Sequence, residues 1–293
     1  DGNGIFYTKI DLRRNANYYN DLYYYDLRTS TEARITRGLR ARDPFPAPDG
    51  KRLLFVANKL GRTRLGMLDI PGTRGGLLRE KDVTWLTEEG LNQYETPRFS
   101  PEGSRIVVGV WQPGGYKDIW VLDAQGNKID ELMHDRAIDG GAFWGPDGRY
   151  LYFASDRTGI FNLYAYELAT RSIFLITNVL GGAFSPAPSP DGKMLAFSSY
   201  SATGFDIHMR PAESASWKPA EAYTDSHPIV TYADKAVETG SRVYNPLPTL
   251  YPRFWIPWFG YSHESGVLPG FITYGKDAVD RHAYVLSAFY SPK

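Results

Sequence analysis

The chain has 293 residues, with 33 lysines and arginines against 33 aspartates and glutamates, so its formal net charge is zero. It lacks the basic excess that draws proteins to phosphate backbones, which argues against nucleic acid as a partner. It also lacks cysteine, which excludes disulfide bonds, thiolate catalysis and cysteine-ligated metal centres. Aromatic residues make up 15% of the chain beside 29 glycines and 20 prolines, a composition typical of strands separated by turns.

A proline-acid-glycine triplet recurs four times, each time just before an apolar segment with strand propensity. Its acids lie 53, 45 and 44 positions apart, and Asp1-Gly2 is a fifth copy without the proline. A repeat of about 40 to 50 residues built of short strands is typical of propeller blades. The triplets are Pro48-Asp49-Gly50, Pro101-Glu102-Gly103, Pro146-Asp147-Gly148 and Pro190-Asp191-Gly192.

Each triplet predicts a tight turn, because proline presets φ, a short acid bonds back to the backbone and glycine takes the left-handed position. We therefore interpret the acids as turn residues rather than catalytic groups. Every unit then contains the same series of strands. The first strand is predicted at 5–7, 53–56, 106–108, 151–153 and 194–197, the second at 21–26, 64–69, 118–123, 162–167 and 206–209, and a third at 33–36, 85–87, 175–177 and 222–224.

This unit resembles the repeat of TolB-like proteins, a branch of the WD-type β-propellers. The resemblance extends from residue 1 to about residue 224 and implies the fold, whereas the same repeat serves scaffolds, peptidase gating domains and lyases. It rests on Phe99-Ser100-Pro101-Glu102-Gly103 with Asp118-Ile119-Trp120, and on Asp147-Gly148 with Tyr152-Phe153-Ala154-Ser155-Asp156.

The predicted fold is an all-β propeller over residues 1–232 with five visible blades. The first blade lacks the strand that precedes its turn, and residues 227–231 are the candidate for closing the ring from the far end of the chain. The rival interpretation is a six-bladed ring with one blade upstream of Asp1.

Residues 233–293 form a different kind of segment, a proline- and aromatic-rich linker followed by strand-like stretches at 270–274 and 283–290. Four prolines between residues 244 and 261 forbid a helix interior there. The tail resembles the lead-in to the outer-membrane β-barrel of some large bacterial surface proteins, on Gly270, Asp277 and His282-Ala283-Tyr284. The alternative is an aromatic strap packed on the propeller.

No catalytic constellation, metal site or cofactor motif is predicted from the sequence. The five histidines show no zinc-protease spacing, and Gly260-Tyr261-Ser262-His263-Glu264 lacks the final glycine of a nucleophile elbow. Polar residues at strand edges are the candidates for ligand or partner binding, because loops of all blades converge at one end of a propeller. They are Asp118, Asn162, Asp206 and His208. For the acidic and amide side chains, capping of their own turns is the competing interpretation.

The sequence thus predicts a non-enzymatic propeller that binds a protein or peptide in the bacterial cell envelope. The expected location is the periplasm or the outer membrane and cell surface of a Gram-negative bacterium, with membrane association through the tail. The alternative is the substrate-gating propeller of a prolyl-oligopeptidase-like hydrolase.

Overall fold

A computed structural model describes residues 2–13, 17–70, 77–225, 240 and 242–291. The chain divides into two compact units, Asp1–His227 and Pro228–Lys293. The domain boundary predicted between residues 232 and 233 lies outside the described residues, and so does the predicted closing strand at 227–231.

The described residues of unit 1 form five antiparallel sheets in which neighbouring strands follow one another in the chain. Sheet 1 has β1 Gly4–Arg13, β2 Asn17–Asp26 and β3 Thr31–Arg34, and sheet 2 has β4 Ala41–Pro46, β5 Arg52–Lys59, β6 Arg62–Asp69 and β7 Thr84–Trp85. Sheet 3 has β8 Gln93–Phe99, β9 Arg105–Gln112, β10 Tyr116–Asp123 and β11 Lys128–Glu131. Sheet 4 has β12 Asp139–Trp144, β13 Tyr150–Ser155, β14 Asn162–Glu167 and β15 Ser172–Leu175, and sheet 5 has β16 Ala183–Pro188, β17 Met194–Ser201 and β18 Gly204–Pro211.

The proline-acid-glycine triplets join the first two strands of sheets 2 to 5, and their predicted turn chemistry is confirmed. Gly50, for example, has φ of +66° and donates its N–H to the Ala47 carbonyl at 2.9 Å. The Asp49 carboxylate accepts the N–H of Lys51 at 2.9 Å. A side chain bonded in this way to its own turn explains the recurrence of the acid without a catalytic role.

Four hydrophobic cores lie between successive sheets, which is why the central strands are apolar on both faces. On β5, Leu53 and Phe55 belong to the core shared with sheet 1, whereas Leu54 and Val56 belong to the core shared with sheet 3. The same alternation continues on β9 and β13. Sheets stacked face to face in chain order are the blades of a propeller. The predicted all-β propeller fold with five visible blades is therefore confirmed.

The predicted third strand of the last unit is wrong. Residues 222–224 are not in a strand; instead β19, Lys218–Pro219, pairs with β15 of sheet 4. The reason is Trp217, a buried ring whose edge packs on Tyr150 at 5.1 Å and on Tyr152 at 5.8 Å. Burial of an indole in this aromatic group outweighs extension of sheet 5 by one strand. Within the described residues, β18 is consequently the edge of sheet 5.

Unit 2 contains one three-stranded antiparallel sheet, and the strands predicted in the tail lie within it. Its strands are β20 Ile256–Ser262, β21 Gly266–Lys276 and β22 Ala283–Phe289. Large apolar residues are exposed on both of its faces, among them Trp258 on one face and Phe259 on the other. Among the described residues of the chain, no helix has the length and apolar character to cross a membrane.

Candidate functional site

Sheets 1, 3 and 4 have an aspartate or an asparagine at an equivalent position of the second strand. In sheet 1 it is Asp21, whose carboxylate accepts the Thr36 hydroxyl at 3.0 Å and the N–H of Gly38 at 2.9 Å. In sheet 4 it is Asn162, whose side-chain oxygen accepts the Thr177 hydroxyl at 3.0 Å and the N–H of Val179 at 2.9 Å. Both side chains therefore accept hydrogen bonds from the segment that follows the outer strand, and they hold that segment in place.

Sheet 3 departs from this pattern at Asp118. Leu132 donates its N–H to the Ile119 carbonyl at 3.0 Å, as the residue before the threonine does in sheets 1 and 4. The next residue is Met133, which has no hydroxyl to offer to the carboxylate. Asp118 instead receives the Gln112 amide at 2.9 Å and the N–H of Asp135 at 3.4 Å. A buried carboxylate in this blade has therefore lost the partner that its counterparts keep.

Glu131 and His134 converge on the same carboxylate. The Gln112 Nε2 atom that bonds Asp118 also donates to Glu131 Oε1 at 2.7 Å. His134 Nδ1 lies 3.1 Å from Glu131 Oε1 and 3.5 Å from Asp118 Oδ2. The imidazole stacks on the Tyr116 ring with centroids 4.3 Å apart, which fixes its orientation.

Two further carboxylates, Asp135 and Asp139, complete what we name the Asp118 cluster, together with Gln112, Asp118, Glu131 and His134. Arg157 lies 3.3 Å from Asp139 and 3.9 Å from Asp135, and it is itself buried over the rings of Phe153 and Tyr164. Ligand atoms of Asp118, Glu131 and His134 all lie within 4.8 Å of one another, and those of Asp118, Asp135 and Asp139 do so as well.

Burial and hydrogen bonding separate the acidities of these carboxyl groups. Burial raises the pKa of Asp118 to about 7, with the nearby Asp139 and Glu131 charges adding to the effect. Burial also raises the pKa of Asp139 to about 6, against the attraction of Arg157. Burial opposes ionisation of Glu131 too, yet hydrogen bonds from Lys128, Gln112 and His134 hold its pKa at about 2. The cluster thus combines one firmly ionised carboxylate with two that keep a proton up to nearly neutral pH.

The structure does not bring the four predicted binding residues together. Asp118 and Asn162 are buried in sheets 3 and 4, whereas Asp206 and His208 are exposed on β18. The His208 ring lies 5.8 Å from the Phe197 ring, and the partner-binding role of all four residues stays a prediction. Sequence reasoning identified Asp118 but missed the residues around it, namely Gln112, Glu131, His134, Asp135 and Asp139. The available signal was Met133, which interrupts the threonine that recurs at Thr36, Thr87 and Thr177.

The chain is similar in sequence to a known protein family and to several known proteins. A family model described as TolB beta propeller domain matches residues 79–231, just over half of the chain. The protein Atu1656 of Agrobacterium fabrum is 35% identical over 122 residues, which cover 38% of this chain and 42% of that protein. The peptidase YuxL of Bacillus subtilis, named as uncharacterized, is 24% identical over 196 residues, covering 54% of this chain and 28% of that protein.

A solved structure, TolB from Acinetobacter baumannii, has the same fold with a TM-score of 0.62 and 17% identity. The match covers 98% of this chain and 64% of that one. The chain thus spans less than half the length of the two curated relatives named above and less than two thirds of this structure. The stacked blades, the turn triplets and the family model agree, and the chain belongs to the TolB beta propeller domain family.

Proposed function

We propose that this chain is a non-enzymatic interaction module of a Gram-negative cell envelope and that β18 is the strand that binds its partner. The observation that carries the proposal is a row of exposed apolar side chains along this strand. Phe205 is 66% exposed, Ile207 85% and Met209 64%. Contiguous apolar surface of this kind is uncommon on soluble domains and marks interaction sites.

The row faces away from the neighbouring blade. On the opposite face of β18, His208 approaches Phe197 and the Arg210 guanidinium donates to the Ile176 carbonyl beside sheet 4. Residues alternate in direction along a strand, so Ile207 and its two apolar neighbours point to the other side. Each of sheets 2 to 4 packs against a neighbouring sheet on both faces. Among the described residues, no hydrophobic core forms on this face of sheet 5.

The edge of β18 favours an extended segment of a partner protein as the bound element. In the described part of the chain, β18 pairs with β17 alone, so its outer N–H and carbonyl groups are available. A peptide can add to such an edge as a further strand, with main-chain hydrogen bonds giving affinity and alternate apolar side chains giving specificity. The partner is therefore expected to carry apolar residues at every second position.

The test is selection of short random peptides on the immobilised chain, followed by titration calorimetry of the selected peptides. We expect peptides with apolar residues at alternate positions, and Ile207→Lys to weaken their binding at least tenfold because it places a charge in the apolar row. Ile129→Lys is the matched control, since Ile129 is an exposed isoleucine on β11, the edge of sheet 3. Failure to select such peptides, or equal losses in the two variants, would contradict the proposal.

Two observations support the proposed location at the cell envelope. The chain has the fold of TolB from A. baumannii, and the sheet of unit 2 exposes many apolar side chains. These side chains include Trp258, Phe259, Tyr261, Val285 and Leu286. Aromatic and aliphatic side chains on both faces of a small sheet are costly in water. We include association of unit 2 with the outer membrane in the proposal, in keeping with the resemblance of the tail to outer-membrane proteins.

A second candidate function is the gating propeller of a serine hydrolase, and the observation that favours it is the match to the peptidase YuxL. If it holds, the full-length protein purified from its source should react with a fluorophosphonate probe, because the activated serine of such hydrolases forms a covalent adduct. Absence of labelling, with a known serine peptidase labelled in parallel, would rule this candidate out.

A further inference from the structure

The Asp118 cluster brings four carboxyl groups together with few cations beside them. Among the described residues, the charged groups that face its four carboxylates are Lys128, which contacts Glu131 at 2.6 Å, and Arg157, which contacts Asp139 and Asp135. The side chain of Asp118 has no solvent exposure, and His134 is the one basic group within 4 Å of it. An ionised carboxylate that is buried without a cation is strongly destabilised, so such a group takes up either a proton or a cation.

We propose that the cluster binds a divalent cation between Asp118, Glu131 and His134. Carboxylate oxygens and an imidazole nitrogen are the ligands of such a site, and the three side chains already hold one ligand atom each within 4.8 Å of the others. One dication would supply the charge that the local side chains lack.

Asp118 is bonded differently from the residues at the same position in other blades, which only cap their own chain. At the same position, Asp21 and Asn162 are satisfied by a threonine hydroxyl and by backbone N–H groups. Asp118 has methionine in place of that threonine, and its bond from Asp135 N–H is long at 3.4 Å. The carboxylate therefore keeps acceptor capacity that its counterparts have spent on their own chain.

Gln112 is placed to be the fourth ligand. Its amide group lies between the carboxylates of Asp118 and Glu131, at 2.9 and 2.7 Å. A glutamine amide carries an oxygen and a nitrogen at its end, and a half-turn about its last torsion would present the oxygen instead of the nitrogen. In the presence of a cation, the oxygen would point toward the metal.

The ligand chemistry selects the class of ion. An imidazole ligand favours Zn²⁺ and similar transition ions, while carboxylate and amide oxygens also suit Mn²⁺. The His134 side chain is 56% exposed, so an ion can enter from solvent. The ligands come from the end of β9, the start of β10 and both sides of the end of β11. Bound metal is therefore expected to fasten these strand ends to one another.

The test is titration of the chelator-treated full chain with Mn²⁺, followed by the electron paramagnetic resonance signal of the free ion, and with Zn²⁺, followed by the melting temperature. We expect one saturable site and a higher melting temperature on binding, since a ligand of the native state stabilises it. Asp118→Asn and His134→Ala are each expected to weaken binding at least tenfold. Asp118→Asn removes a buried charge, so loss of binding in this variant is not explained by unfolding.

The matched control is His263→Ala, because His263 is an exposed histidine that belongs to neither group of possible metal ligands among the described residues. It should bind the ions as the parent chain does. The proposal would be overturned by the absence of saturable binding, by equal losses in His263→Ala and His134→Ala, or by unchanged affinity in Asp118→Asn.

Discussion

Arg157→Ala is expected to destabilise the propeller by about 3–5 kcal/mol, because it leaves Asp139 as a buried carboxylate without its cation. The two side chains are 3% and 0% exposed, and Arg157 lies 3.3 Å from both oxygens of Asp139. Removing one partner of a buried pair costs far more than the pair contributes, since the remaining charge is stranded in low dielectric. Urea unfolding of unit 1, in chelator at pH 8, is the measurement.

The loss of stability caused by Arg157→Ala is expected to depend on pH through the ionisation of Asp139. Burial raises the pKa of Asp139 to about 6, so the native state binds a proton that the unfolded state has already released, and this contribution to stability is lost as pH rises from about 4 through 6. Without Arg157 the pKa of Asp139 should rise further. The loss caused by Arg157→Ala should accordingly be smaller at pH 5 than at pH 8.

Arg149→Ala is the control for removal of an arginine from an ion pair. Arg149 pairs with Glu167, but its side chain is 59% exposed, so solvent screens the pair and Arg149→Ala should change stability little. The double variant Arg157→Ala with Asp139→Asn should recover much of the lost stability, because the stranded charge is gone. If Arg157→Ala and Arg149→Ala lowered the free energy of unfolding equally, burial of Asp139 would not be the reason why Arg157 stabilises the fold.

Equivalent positions in two blades are expected to respond in opposite directions. Asp21→Ala should cost about 1–3 kcal/mol, because it leaves the Thr36 hydroxyl and the Gly38 N–H without their acceptor, while Arg34 loses one carboxylate but keeps Asp11. In chelator at pH 8, Asp118→Asn should instead stabilise the chain, because burial raises the pKa of Asp118 to about 7 and its ionised form is therefore unfavourable in the folded state.

Urea unfolding of the two variants beside the parent chain tests this contrast. Asn162, the natural amide at the same position of sheet 4, shows that the fold accommodates asparagine there. A loss of stability in Asp118→Asn comparable to that in Asp21→Ala would mean that both carboxylates serve the same capping purpose, which would remove the basis for treating Asp118 as exceptional.

The turns and inner strands of the blades were predictable because their determinants are local. Proline, a short acid and glycine decide the turn within three residues, and the apolar run after each triplet is long enough to fix a strand. The predicted first and second strands lie in the five sheets of unit 1 for this reason. The last outer strand was misplaced, because Trp217 is buried against Tyr150 and Tyr152 of another sheet and no local pattern reports that contact.

The sequence by itself determined the repeat, the strand order within each blade and the β-propeller class, since all of these follow from short-range propensity and spacing. The Asp118 cluster was decided by tertiary structure. Gln112, Asp118, Glu131, His134 and Asp139 come from four strands and the segment between them, and only their packing places the ligand atoms together. Burial, which the sequence around Asp118 does not reveal, then raises the pKa of this aspartate to about 7.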